Sequence, residues 1–266
     1  MREHTDLQFA ERESGPLALD LYVPERESGS PLVVSIHGGG WQSGDRTQTG
    51  DTLRLVERGY ALASVSYRLT DAATFPAQLR DCRAAIRWLR AHADEYGLDP
   101  DRVAAWGWSA GGHLAALLGT APDASFGGPA VDSDVHPEQS HRVDAVLDFF
   151  GPTDLLAMGD HGSDRDHTTA DSPEGKLVGG PVGERSDRAR RASPQTHVDG
   201  TEPPFLVVHG SADRVVPRAQ SNLFVSALAD ADDAVTYHVV AGGDHGGFDD
   251  PAIPELVDGF LDRHLQ

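Results

Sequence analysis

Residues 102–120 read RVAAWGWSAGGHLAALLGT. The apolar run from Val103 to Trp106 has the length and composition of a buried strand, Gly107 to Gly111 spell G-x-S-x-G, and Gly112 to Leu118 read as a helix rich in Ala and Leu. A strand, a sharp turn and a helix thus meet at Ser109. If the turn holds this serine at positive φ so that its hydroxyl projects, strand and helix must approach closely, and side chains two residues before and after would collide. Glycine at 107 and 111 removes them. The helix start also leaves backbone N–H groups unpaired, and that of Ala110 is placed to meet an oxyanion formed when Ser109 attacks a carbonyl. Taken alone, the five residues also fit a glycine-rich turn with a spectator serine, so its partners decide the reading.

The first partner lies upstream. PLVVSIHGGGW holds a largely apolar strand, Leu32 to Ile36, that breaks into His37-Gly38-Gly39-Gly40-Trp41. Three glycines after a buried strand weaken the fold entropically, and a backbone that must come close to a ligand accounts for them. The N–H groups of Gly39 and Gly40, with Trp41 as a further candidate, are expected to form the second half of an oxyanion hole opposite Ala110. A phosphate loop fits less well, because the Gly-Lys-Ser/Thr ending is absent. Trp41 reads equally as a pocket wall or as an anchor of the loop in the core.

The other partners lie downstream. A serine hydroxyl needs a base within hydrogen-bond reach, and that base needs a carboxylate to fix its tautomer and stabilise the imidazolium. Asp213 follows the strand from Phe205 to His209, and His245 sits in AGGDHGGF after the strand from Val235 to Val240. The order Ser, Asp, His after successive strands makes these three the candidate triad. Asp154, after the preceding strand, rivals Asp213 for the acid role, and Asp244 does so more weakly. His209 is expected to be packed, and His113 to be a structural hydrogen bonder. The mechanism that follows is attack by Ser109, proton transfer to His245 and hydrolysis of an acyl-enzyme by water. Each oxyanion donor is worth about 3 kcal/mol of barrier, and activity should fall as acid protonates the imidazole.

Strand and helix alternate through the rest of the chain. Residues 7 to 23 form an antiparallel hairpin around Ser14-Gly15-Pro16, DTLRLVERGY a short helix, YALASVSY a strand, and Pro76 to Tyr96 a long helix ended by Gly97. Val143 to Leu155 brings a strand and a breaker, Pro217 to Ala229 a helix, and Pro251 to His264 a terminal helix. Such alternation predicts one α/β domain over 1–266 with a mostly parallel, doubly wound sheet of about eight strands flanked by helices. Ligands then sit beyond the carboxyl ends of the strands, where both glycine motifs fall. Residues 157–200 break the rhythm. They are polar and rich in Gly and Asp, with a helical hint at 184–192, and read as a lid or substrate loop. The Asp160, His161, Asp164, Asp166 and His167 cluster there matches neither zinc nor calcium spacing, so no metal is expected.

Composition sets the outer bounds. Forty-two acidic against 22 basic residues give a formal net charge of −20, which argues against nucleic acid as a partner. Lys176 is the single lysine. Two readings of the acidic coat stay open: the base composition of a GC-rich genome, or adaptation to high salt, where screening relieves self-repulsion. A single cysteine, Cys82, excludes an internal disulfide and reads as a small buried apolar residue. No signal peptide or long apolar run is visible, so a cytoplasmic protein without membrane contact is expected. Oligomeric state, monomer or dimer, is left open.

Together, HGGGW, GWSAGGHLAALLG, DFFGPTDL, the SPE..KLVGG stretch at 172–180, ASPQTHV, PPFLVVHGSADRVVP and DHGGF resemble the α/β-hydrolase superfamily. Within it the chain is similar to bacterial feruloyl-esterase-like and acetyl-esterase-like carboxylesterases related to hormone-sensitive lipase. The resemblance runs from about residue 15 to the C-terminus. It implies Ser109, Asp213 and His245 as the triad, an oxyanion hole from the HGGG loop with Ala110, no cofactor, and a small-molecule or carbohydrate-linked ester as substrate. Trp108 departs from the Ser, Asp or Glu that relatives often carry in this turn and is expected, with Trp41, to shape the substrate pocket. The acidic stretch 121–141 is expected to border the site. The competing readings are an amidase of the formamidase or small-aminopeptidase type, a hydrolase fold used only for binding, and a nucleotide-binding protein whose phosphate loop is missing.

Overall fold

The computed structural model describes residues 1–25, 29–124, 126 and 135–266. Its framework is one eight-stranded sheet. In chain order the strands are β1 (Arg2–Arg12), β2 (Gly15–Val23), β3 (Ser30–Ile36), β4 (Ala61–Val65), β5 (Leu98–Trp108), β6 (Ala145–Phe149), β7 (Phe205–Gly210) and β8 (Val235–Val240). The helices are α1 (Arg54–Glu57), α2 (Ala77–Ala91), α3 (Ala93–Tyr96), α4 (Ala110–Thr120), α5 (Pro173–Val178), α6 (Ser186–Arg191), α7 (Ala219–Asp230) and α8 (Ala252–Leu265). The spatial order is β1-β2-β4-β3-β5-β6-β7-β8. The hairpin β1–β2 and the β2–β4 pair are antiparallel, and every pairing from β4 through β8 is parallel.

The inner strands β3, β4, β6 and β7 are buried along their length and mainly apolar because both faces are covered, whereas the edge strand β8 is half-exposed. Leu32, Val34 and Ile36 of β3 and Phe205 and Val207 of β7 pack into the layer holding α2, α4 and α7. The alternate residues Val33, Leu206 and Val208 pack into the opposite layer with α1 and α8. That split is the doubly wound arrangement that the alternation predicts. Cys82 is fully buried on α2, and burial pushes its thiol well up. Among the described residues no helix is long and apolar enough to cross a membrane.

Two local expectations need correction. The helix expected over 76–96 is interrupted at His92, whose ring Nδ1–H donates to the Trp88 carbonyl at 2.8 Å and stacks on the Trp88 ring. His92 itself leaves the helical conformation, at φ −106° and ψ 15°, and breaks the repeat between α2 and α3 while its N–H stays bonded to the same carbonyl at 3.1 Å. The segment 157–200 carries more helix than its polarity suggests: α5 and α6, plus single 3₁₀ turns at Met158–Asp160 and Pro194–His197. The signals for α5 are local. Ser172 Oγ accepts the Gly175 N–H at 3.0 Å, Pro173 occupies the first turn, and Gly179 ends the helix at φ 78°. Bonds to the body hold the segment down, among them Phe75 N–H to Leu177 O at 2.8 Å and Leu155 N–H to Ser193 Oγ at 3.0 Å.

Candidate active site

The turn between β5 and α4 holds Ser109 at φ 53°, ψ −119°, a region that L-residues with a side chain rarely occupy. Its N–H is bonded to Phe149 O at 2.9 Å, which ties the turn to β6. The flanking glycines are sterically required. A Cβ on Gly107 would lie 2.1 Å from the Gly111 carbonyl, and one on Gly111 would lie 2.0 Å from Ile36 O. The close approach inferred from the G-x-S-x-G spacing is therefore between β5, α4 and the end of β3.

The loop 37–41 leaves β3 beside this turn. Gly39, Gly40 and Trp41 have φ of 101°, 59° and 58°. His37 stacks on Tyr67 with ring centroids 4.2 Å apart, and the Tyr67 hydroxyl donates to His37 O at 3.0 Å. Trp41 is 1% exposed and sets its ring edge against His113. It is chiefly the anchor of the loop, although part of it reaches the cavity. No described residue accepts a hydrogen bond from the N–H of Gly39, Gly40, Trp41 or Ala110. All four residues line the same cavity of about 630 Å³ as Ser109 and His245.

His245 lies on the glycine loop after β8, with its ring edge on Phe150. Its Nε2 is 2.9 Å from Ser109 Oγ and its Nδ1 is 2.7 Å from Asp213 Oδ2. Asp213 has no exposed side-chain surface. Its Oδ1 accepts the N–H groups of Val215 and Val216 at 2.8 and 2.9 Å. Burial alone would raise the Asp213 pKa, but hydrogen bonds from His209 and His245 and the Val215 N–H outweigh it and hold this carboxyl well below the usual range.

The rivals lie elsewhere. Asp154 caps its own turn by accepting the Leu156 and Ala157 N–H groups. Asp244 pairs with Arg214 and accepts backbone N–H groups, including that of His245, without meeting the ring. His113 is fully buried with Nε2 donating to Ala192 O, and burial lowers its pKa to about 4. Asp166 is taken up by Thr168 and Thr169, and Asp164 by Arg214. Trp108 stands between the 630 Å³ cavity and a second one of about 370 Å³ walled by Trp106, Phe149, Phe150 and Phe248. Of the stretch 121–141, residues 125 and 127–134 lie outside the described residues, and the described remainder does not line the cavity.

Two features escaped the sequence reading. His209 does more than pack: it is fully buried, and its Nε2 lies 3.2 Å from Asp213 Oδ2 as well as 2.9 Å from Val216 O. Its position four residues before Asp213 was the available signal. Asp148 on β6 is buried beneath the turn, accepting the Gly151 N–H with Oδ1, while Oδ2 has no partner among the described residues. Burial pushes its pKa up to about 6, against smaller lowering effects of the Gly151 N–H and His209. The folded state thus binds the proton more tightly than the unfolded chain, so the destabilisation is absent below about pH 4 and complete above about pH 6. Its full size is roughly 3 kcal/mol. Relative to the parent, Asp148→Asn is expected to gain stability by that order between pH 4 and pH 8, read as the change in the unfolding free-energy difference by urea titration at both pH values. A difference independent of pH would contradict this assignment.

A BD-FAE family model matches residues 19–228. Esterase LipC of Mycobacterium tuberculosis is 34% identical over 221 residues, 82% of this chain and 53% of its own length. Esterase LipQ of the same organism is 32% identical over 241 residues, 87% of this chain and 55% of its own. The chain spans about half the length of these curated relatives. Among solved structures, a truncated carbohydrate esterase from gut microbiota superposes with TM-score 0.89 at 29% identity, covering 100% of this chain and 97% of that one. Butyrate-bound Est2 of the Planctomycetes species Thermogutta terrifontis, a thermophilic esterase, gives 0.79 at 28% identity, covering 98% and 93%. With its α/β-hydrolase sheet and a family model matched over most of its length, the chain belongs to the BD-FAE family.

Proposed function

We propose that the protein is a serine carboxylesterase acting on short-chain or aromatic carboxylic esters. The observation that carries the reading is the continuous line from Asp213 Oδ2 through both ring nitrogens of His245 to Ser109 Oγ, with steps of 2.7 and 2.9 Å. Ser109 Oγ attacks the ester carbonyl while His245 Nε2 takes its proton, and Asp213 holds the imidazolium in place. The developing oxyanion accepts hydrogen bonds from the N–H groups of Gly39, Gly40 and Ala110. His245 then gives the proton to the departing alcohol, and a water deprotonated by the same ring hydrolyses the acyl-enzyme. Every group in the cycle belongs to this chain, the substrate or water, so no cofactor enters it.

The butyrate-bound form of Est2 supports a short acyl chain, and the carbohydrate esterase supports a sugar-linked alcohol as one natural form of the substrate. Segment 157–200 acts as a substrate loop of the single domain: Asp166, His167 and Thr169 line the cavity, as do Asp171 to Glu174. Paired substrates test the bond type. p-Nitrophenyl butyrate is expected to turn over faster than the butyryl p-nitroanilide by about two powers of ten or more, because the amide needs a harder protonation of its leaving group. Equal or faster anilide cleavage would make the protein an amidase.

A further inference from the structure

One wall of the cavity is polar in a way that the ester chemistry does not use. His167 and Glu174 both line it, with side chains only 3% and 4% exposed. His167 Nδ1 lies 3.1 Å from Glu174 Oε1, without hydrogen-bond geometry. Both ring nitrogens of His167 and Glu174 Oε2 have no hydrogen-bond partner among the described residues. Buried polar atoms without partners are unfavourable, and where they border a cavity a ligand can complete them.

The pair is held close to the oxyanion loop. Glu174 is in the first turn of α5, next to Pro173, and a Cβ on Gly40 would meet Pro173 Cβ at 3.5 Å. Most of the remaining lining is glycine, aromatic or aliphatic, including Trp108, Phe150, Pro152, Val215 and Val216. Among these unpartnered atoms the imidazole N–H is a donor and the carboxylate Oε2 an acceptor. A hydroxyl group satisfies both, an alkyl chain satisfies neither, and an ammonium group satisfies the carboxylate alone.

We propose that His167 and Glu174 form a hydroxyl-reading subsite, selecting esters that carry a free hydroxyl near the scissile bond. The inference rests on the esterase reading and names the substrate feature which that site recognises. The hydroxyl has two possible sources, the alcohol or the acyl side, and matched substrates separate them. In one arm 2-hydroxyethyl acetate is compared with propyl acetate. In the other, p-nitrophenyl 3-hydroxybutyrate is compared with p-nitrophenyl butyrate. A third pair, acetylcholine against 3,3-dimethylbutyl acetate, reads a cation instead.

In at least one of the first two arms the parent is expected to favour the hydroxylated ester in kcat/KM by about tenfold or more, mainly through KM. Glu174→Gln and His167→Phe are each expected to bring that ratio to within about threefold of one. A merely structural pair would lower Tm and slow both members of each pair alike, leaving the ratio intact. That result overturns the proposal, as does a parent ratio near one in both hydroxyl arms or discrimination confined to the choline pair. Hydrolysis of every ester without discrimination defeats the subsite alone, whereas a parent that hydrolyses none defeats the esterase reading and the subsite with it.

Discussion

Ser109→Ala is expected to lower kcat/KM for p-nitrophenyl butyrate by roughly 10⁴-fold or more, with stability within about 1 kcal/mol of the parent. The change removes one oxygen and keeps the Cβ, so the turn at φ 53° and its bond to Phe149 O are unaltered. What disappears is the atom 2.9 Å from His245 Nε2. Residual hydrolysis by water would persist through the N–H groups of Gly39, Gly40 and Ala110, because their placement depends on the backbone and not on the serine. Steady-state assay and thermal melting of both proteins give the comparison.

Asp213→Asn is expected to lower kcat by roughly 10⁴-fold and, unlike the serine variant, to destabilise the fold by about 1–3 kcal/mol. The reason is a count of donors. Oδ1 of Asp213 accepts two backbone N–H groups, from Val215 and Val216, while Oδ2 faces His245 Nδ1 and His209 Nε2. A carboxylate accepts on both sides, but an amide accepts on one. With its NH₂ toward the histidines, it forces His245 into the tautomer whose Nε2 carries the proton, which cannot then deprotonate Ser109. With its oxygen toward the histidines, the NH₂ confronts two backbone N–H groups. Neither orientation suits both sides, so activity and stability fall together. A variant that melts like the parent and keeps most of its kcat would contradict this account of the acid.

How much of this was legible beforehand differs between elements. The parallel strands announce themselves as apolar runs such as Leu32–Ile36 and Phe205–His209, because both faces of the sheet are covered and no polar alternation is imposed. The glycine spacing around Ser109 was readable as sterics, since Gly107 and Gly111 have no room for a methyl group. The three residues now found in one hydrogen-bonded line were each visible as a loop residue after a strand, although only the fold sets the distances between them. Segment 157–200 is less legible in the sequence. Its polarity hid α5, whose stop and start signals at Ser172, Pro173 and Gly179 are local and whose burial of Leu177 and Val178 depends on contacts far along the chain. The second histidine on Asp213 is harder to read: its place four residues before Asp213 is a signal, but His209 ends an apolar strand and looks like core.

Three groups from three separate loops must act as one nucleophilic unit if the esterase account holds. Paraoxon phosphorylates activated serine hydroxyls with loss of p-nitrophenol, which makes it a direct probe of that unit. Treating the native protein with paraoxon and mapping the adduct by mass spectrometry should place one diethyl phosphoryl group on Ser109, with p-nitrophenol released in equal amount and labelling abolished in His245→Ala. An unmodified Ser109 in folded protein, or an adduct formed as fast without His245, would contradict the account.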